Sequence, residues 1–287
     1  MELKKNNKDV SVIHKEVINF YNNDSNYLHK IKNRSSDTYR AIFCILDTFD
    51  SKDLSILDVG CGTGNLLSLL KSKGYKNIEG VDCSKTFVKE AKKDKKIEIY
   101  ENDVINFSPN KKYDVIIMTD VLEHSVHPGR IIKKCSILLK KEGIIVIGGP
   151  NLLQIIYGIV HINIRKIPLF IKKMSQYLLN SRIMPYYIEP KLDKETYKNT
   201  DSDACYLINP FDIMYFLKNE GFKKLFCSTF YNPTERYTKL KRREIILADK
   251  MPLIKYTGFS LLIVASKNKS IKKEIIKRLS ANMKKAY

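Results

Sequence analysis

Paired cysteines and long apolar runs are what this sequence lacks, and its acidic residues are few beside its basic ones. Its six cysteines, Cys44, Cys61, Cys83, Cys135, Cys205 and Cys227, include no CxxC pair, and no histidine stands at metal-ligand spacing from them. That argues against a disulfide framework or a zinc site and suits a reducing, cytoplasmic compartment. The longest apolar stretch, residues 152–164, is interrupted by Gln154, His161 and Asn163, so no transmembrane helix is expected. The first ten residues, MELKKNNKDV, carry no apolar stretch of the signal-peptide kind. Asp and Glu number 31 against 51 Lys and Arg, a formal net charge of +20. An anionic partner is one reading of that surplus. A solvated surface is the other, because lysine is spread along the whole chain together with much Ile and Asn. No repeat of fixed period is visible, and no segment is simple enough to be disordered apart from the first few residues.

What is present is enough apolar material, 44% of 287 residues, for one large core with elaborations. The chain reads as one domain, 1–287, with an N-terminal helical lid at 1–50 and a core at 51–151. An insertion at 152–208, the end of the core at 209–267 and a basic C-terminal helix at 268–287 complete it. Within the core, short apolar runs alternate with helical periodicity, the pattern of an α/β, doubly wound sheet. Strands are expected at 55–59, 78–82, 97–100, 113–119 and 144–148, with last strands at 225–230 and 259–265. Leu66, Leu67, Leu69 and Leu70 mark a helix closed by Gly74, and 128–141 a second that stops at Gly143. Asn209-Pro210 reads as an N-cap and first-turn proline of a helix ending at Gly221. Residues 10–27 and 38–49 read as two helices covering the open end of the sheet.

The chemistry concentrates at strand ends. DVGCGTGN, Asp58 to Asn65, lies where the first expected strand meets the following helix. There Gly60, Gly62 and Gly64 let backbone approach a ligand closely, with Cys61 between them. A bare GxGxG also serves as a plain connection; position and company raise it. Asp82 ends the second strand beside Cys83, where a carboxylate can accept both hydroxyl protons of a ribose. Asp103, beside Val104, follows the third, where it can accept from an adenine amino group.

With these motifs the chain resembles the class I S-adenosylmethionine-dependent methyltransferases, from about residue 55 to 151 and more faintly from 209 to 267. DVGCGTGN looks like their first motif, Gly80-Val81-Asp82 like their ribose-binding loop, and Asn102-Asp103-Val104 like their adenine-binding turn. Residues 113–151 are similar to the subgroup of ubiquinone-pathway O-methyltransferases and polysaccharide-cluster methyltransferases. The resemblance implies a Rossmann-like seven-stranded sheet with an antiparallel last strand and S-adenosyl-L-methionine as cofactor. It puts Asp58 and the glycines near the methionine part, Asp82 on the ribose and Asp103 on the adenine. Thr119 and Asp120 would face the sulfonium side. Glu142-Gly143 replaces the usual glycine pair before the fifth strand, a departure expected to affect only a turn. A nicotinamide dehydrogenase would share the second-strand acid, but GxGxG spacing and Val121-Leu122-Glu123-His124 favour the methyltransferase.

For the acceptor, a neutral histidine is the usual base toward a hydroxyl, and His124, then His127, are the candidates. A loop role that fixes the helix start is the competing reading. Glu123 or Asp120 could join His124 around a divalent ion, but nothing in the spacing demands it, and no metal is expected. A DPPY-like string after the fourth strand is replaced by TDVL, so nucleic acid is not expected as substrate. The expected acceptor is a small molecule, a sugar or a lipid-linked intermediate, methylated on oxygen; the alternatives are an amino sugar methylated on nitrogen, or a non-catalytic, membrane-recruited protein. The insertion mixes apolar residues with Arg165, Lys166, Lys172 and Lys173, which fits either a peripheral membrane contact or a helical cap on the site. Residues 270–285, with Ile271, Ile275, Ile276, Leu279 and Met283 on one face, carry the same two readings. Tyr186, Tyr187, Asp201, Asp203 and Tyr206 supply aromatic and acidic groups that suit a sugar or a surface turn. Oligomeric state is left open by the sequence.

Overall fold

The computed structural model describes residues 9–24, 28, 38–94, 97–157, 161–192, 203–229, 256–258, 260–268, 277–278 and 281. Seven strands, β1 (Ile56–Val59), β2 (Ile78–Asp82), β3 (Glu98–Glu101), β4 (Tyr113–Thr119), β5 (Leu139–Pro150), β6 (Lys223–Ser228) and β7 (Ser260–Ser266), form one sheet in the order β3-β2-β1-β4-β5-β7-β6. The helices are α1 (Val10–Asn23), α2 (Thr38–Leu46), α3 (Asn65–Ser72), α4 (Lys85–Ala91), α5 (Pro128–Leu138), α6 (Ile167–Leu178) and α7 (Pro210–Asn219). Strand β1 pairs in parallel with both β2 and β4, and β2 with β3. The last strand, β7, runs antiparallel to β5 and to β6. This is the expected doubly wound sheet with a reversed last strand.

Two compact units divide the chain. The first comprises Met1–Ser35, Ser51–Lys140 and Tyr186–Leu207. Its central strand β1 is buried along its whole length, as a parallel strand covered on both faces must be. Each fully buried Ile, Leu or Val there contributes roughly 1.5–3 kcal/mol relative to exposure. Helix α3 buries Leu66, Leu67 and Leu70, and the chain leaves it through Gly74 at φ +89°. Ser84 caps α4, its hydroxyl accepting from the Phe87 amide. Asp9 caps α1 in the same way through the Ser11 amide. One face of α1 places Ile13 and Val17 in a buried cluster with Val126 and Cys205.

Helix α5 ends at Leu138, and β5 starts at Leu139 instead of after Gly143. Glu142 and Gly143 therefore lie within an extended strand and not in the expected turn. Leu139 and residues 144–149 are buried, so the chain is drawn into the sheet before the glycine is reached.

The second unit comprises Ser36–Asp50, Lys141–Pro185 and Ile208–Tyr287. Helix α2 buries Ala41, Ile42, Ile45 and Leu46. Asn209 caps α7 through the Asp212 amide at 3.0 Å, with Pro210 in the first turn and Gly221 just past the end, as its sequence specified. Among the described residues, the insertion after β5 folds into a short antiparallel hairpin, Ile156–Tyr157 with His161–Ile162, followed by α6. Lys173 of α6 is buried: its ammonium donates to Asp212 Oδ2 at 2.9 Å and to the Met184 carbonyl at 2.7 Å. Lys166 donates to the Leu152 carbonyl at 2.7 Å, and burial holds its pKa below the ordinary lysine value. Of the four cations of this segment, Lys173 is thus internal and Lys166 half-buried, while Arg165 and Lys172 are exposed. No helix among the described residues is long and apolar enough to cross a membrane. The expected helix at 270–285 falls, except for residues 277, 278 and 281, outside the described residues. So do Phe230, Phe259 and Asp201, and residues 25–27 of the first expected helix.

Candidate cofactor and acceptor site

All the candidate site residues lie in the first unit, where β1 has β2 on one side and β4 on the other. That is the switch point at which such sheets leave a crevice beyond their strand ends. Gly60, Gly62 and Gly64 adopt φ +68°, +54° and +80°, a left-handed conformation that side chains resist. At Gly60 a Cβ would also run into Val121 Cγ2, so both conformation and space favour glycine. The turn is tied to the next strand because the Gly60 amide donates to the Val81 carbonyl at 2.8 Å.

Asp82 ties the glycine turn to the start of α4. One carboxylate oxygen accepts from the Gly62 amide at 2.9 Å and the other from the Ser84 amide at 2.8 Å. Each oxygen keeps a second acceptor position, so the group can still receive the two hydroxyls of a ribose. Burial raises its pKa, and the two backbone amides oppose that rise. Asp58, 3% exposed, is pushed up to about 8 by burial and by the charge of Asp82. A buried carboxyl held this close to neutrality favours a cationic ligand group, which would restore its charge. Burial also raises the Cys61 thiol, and takes Cys83 to about 12, so neither is a thiolate nucleophile near neutral pH.

After β3, Asp103 accepts from the Ile105 amide at 2.9 Å and stands 3.5 Å from His14 Nε2. The histidine is the main reason its carboxyl lies below the ordinary value. Val104 beside it is buried. Thr119 and Asp120 are half-buried at the end of β4, and Asp120 takes φ +54°. Left-handed backbone at a non-glycine residue is a local strain often found at functional sites.

His124 closes a single 3-10 turn, Leu122–His124, with its side chain 14% exposed. Its Nδ1 is 3.5 Å from Asp203 Oδ2, and its Nε2 is 3.7 Å from Glu123 Oε1. Tyr21 stands edge-on to the imidazole, ring centroids 6.1 Å apart, and donates its hydroxyl to Asp203 Oδ2 at 3.0 Å. His127 precedes α5 without capping it through its side chain, and burial is the first cause of its lowered pKa.

Helix α1 is the part that local motifs missed. His14 reaches Asp103, Tyr21 reaches Asp203 and the Phe87 ring, and Asn22 accepts from the Ser84 hydroxyl at 3.0 Å and, through its carbonyl, from Thr86 at 2.8 Å. The only sequence signal was His14 and Tyr21 seven apart, hence on one side of a helix. Of the aromatic residues that suit a sugar or a surface turn, Tyr186 and Tyr187 are half-buried. Tyr206 is fully buried, and Tyr187 donates to the Val126 carbonyl at 2.8 Å. Asp203 is buried and faces Tyr21 and His124 rather than an open surface.

Glycine turn, acidic second-strand end and reversed last strand together define the S-adenosylmethionine-dependent methyltransferase class. A family model described as a methyltransferase domain matches residues 27–190, and the chain belongs to that family. It is a methyltransferase that uses S-adenosylmethionine. The ubiquinone biosynthesis O-methyltransferase of Rickettsia typhi is 27% identical over 227 residues, 74% of this chain and 92% of that protein. The enzyme of the same name from Bradyrhizobium diazoefficiens is 34% identical over 103 residues, and the match spans 40% of its length and 34% of this chain. Among solved structures, a magnesium protoporphyrin IX methyltransferase from Synechocystis with bound S-adenosylhomocysteine superposes with TM-score 0.53 at 14% identity. That superposition covers 89% of this chain and 100% of that one, and it shows the shared fold.

Proposed function

We propose that this methyltransferase acts on a hydroxyl oxygen of a small-molecule, sugar or lipid-linked acceptor, with His124 taking the hydroxyl proton. The observation that carries the reading is the placement of a slightly exposed imidazole just past the end of β4, backed by a buried carboxylate and a tyrosine. The O-methyltransferase relatives support oxygen as the acceptor atom. S-adenosylmethionine supplies, when bound, a methyl group already activated on a sulfonium, so the chain's task is placement and proton removal. The turn of Gly60, Cys61, Gly62 and Gly64, with Asp58, would hold the methionine end. Asp82 with Cys83 would hold the ribose, Asp103 with Val104 the adenine, and Thr119 and Asp120 the methyl-bearing side. Replacing His124 by Gln should lower turnover roughly 10²- to 10⁴-fold, the range for general-base catalysis, with cofactor affinity kept. S-adenosylhomocysteine release over a panel of hydroxylated acceptors measures it; unchanged turnover rejects the assignment.

We further propose that the second unit's α6 region contacts a bilayer, which supports a lipid-linked acceptor. No acidic residue occurs between Glu142 and Glu189. Ile164, Ile171 and Met184 are exposed, and Leu178 and Leu179 are 69% and 76% exposed, alongside exposed Arg165, Lys172 and Arg182. Exposed apolar groups and cations in one segment suit an anionic headgroup layer, at about 1 kcal/mol for each cation near the surface. Sedimentation with phosphatidylglycerol vesicles should carry the protein down, and a Leu178→Ser, Leu179→Ser double variant should weaken this. Failure of the unmodified protein to bind rejects the contact.

A further inference from the structure

We infer that Asp203 positions His124, accepting the Nδ1 proton so that the lone pair sits on Nε2; this rests on the reading of His124 as the base. Two carboxylates compete for the imidazole: Asp203 Oδ2 stands 3.5 Å from Nδ1 and Glu123 Oε1 3.7 Å from Nε2. Asp203 is the nearer. The Tyr21 hydroxyl donates to the same Oδ2 atom at 3.0 Å, which fixes its place. Nδ1 is the buried nitrogen, so its proton has no water to turn to. The separation is longer than a formed hydrogen bond, as is common before substrate closes a site, and a shift of a few tenths of an ångström completes it.

The segment that carries Asp203 is anchored to the turn that carries the histidine. The amides of Cys205 and Tyr206 both donate to the Glu123 carbonyl, at 2.9 and 3.0 Å. Cys205 packs with Ile13, Val17 and Val126, with Tyr21 against them. An acid from the insertion, an aromatic from α1 and a histidine after β4 thus meet through backbone bonds and a shared apolar cluster. A buried carboxylate that holds an imidazole in one tautomer is how a histidine is kept ready as a base.

The test is long-range proton–nitrogen NMR on the full chain, ¹⁵N-labelled at histidine, with S-adenosylhomocysteine bound and His124→Gln used to assign the signal. The unmodified protein should show the neutral Nδ1–H tautomer, and Asp203→Ala should convert it to Nε2–H. An Nε2–H tautomer or a persistent imidazolium in the unmodified protein overturns the inference, as does an Nδ1–H tautomer that survives Asp203→Ala. Should that variant not fold, the unmodified protein's spectrum decides alone. The tautomer is read without turnover, so a failed base assignment and a failed Asp203 assignment give different results.

Discussion

From residue 60 to residue 64, three of five positions are glycines with positive φ, and the remaining side chains are those of Cys61 and Thr63. From residue 161 to 185 the chain carries long apolar and basic side chains, some buried and some exposed, with no acidic residue among them. In the first region backbone conformation limits which residue can stand at each place. In the second, neighbouring residues of the same type have opposite fates: Lys172 is exposed, and Lys173 is sealed against Asp212. Local geometry governs the turn, whereas distant partners govern the insertion.

That contrast breaks most readily at the buried ion pair. Lys173→Met should destabilise the fold by about 3–5 kcal/mol, because it leaves the Asp212 carboxylate buried without its cation. Lys172→Met, one residue away, should change stability by less than about 0.5 kcal/mol. Chemical denaturation of the two variants measures both, and equal effects would erase the distinction. Adding Asp212→Leu to Lys173→Met should recover much of the loss, since an apolar pair of similar volume removes the stranded charge.

A smaller effect is expected within the glycine turns. Gly60→Ala meets Val121 and a left-handed φ, for a cost of roughly 1–3 kcal/mol from overpacking beyond the strain. Gly74→Ala has φ +89° but nothing within 4 Å, so only the conformational strain, about 1 kcal/mol, remains. Thermal or urea unfolding of the pair separates space from conformation; equal losses would show that crowding at Val121 is relieved.

A pH dependence is expected at Asp58. Between its ordinary 3.8 and about 8, the folded state holds a proton that the unfolded chain has released. Stability of the unliganded protein attributable to this group therefore falls as pH rises through that window. Binding a cationic ligand favours the ionised carboxylate, so affinity for S-adenosylmethionine should rise from pH 6 to pH 8, by at most about tenfold per unit. Calorimetric titration at three pH values checks the slope, and Asp58→Asn should flatten it. A slope already absent in the unmodified protein would mean that the cofactor's charge lies elsewhere.

Much of the fold was legible before any coordinates. A strand buried on both faces needs a largely apolar run, and β4 shows one at Val115–Met118 and β1 at Ile56–Val59 apart from Asp58, whereas β2, though at its expected position, carries Glu79 inside it. The caps at Asn209 and the stops at Gly74 and Gly221 follow from local hydrogen bonding and backbone freedom. The end of α5 was misplaced by several residues, because burial of Leu139 in a strand overrode a glycine that looked like a stop. Of the candidate site, the glycines and Asp82 were legible since their neighbours are supplied by the turn itself. His14, Tyr21 and Asn22 were not, since a helix periodicity shows which residues share a face but not what that face meets.

The sequence by itself determined the strand order's raw material, the glycine turn and the acidic strand ends, because each depends on conformations and partners within a few residues. Only the tertiary structure decided that Asp203 faces His124 and Tyr21, that Lys173 is internal while Lys172 is not, and that Tyr206 is fully buried. The physical reason is range. Asp203 lies 182 residues from Tyr21, and whether a polar side chain is desolvated and paired depends on contacts that no local pattern encodes.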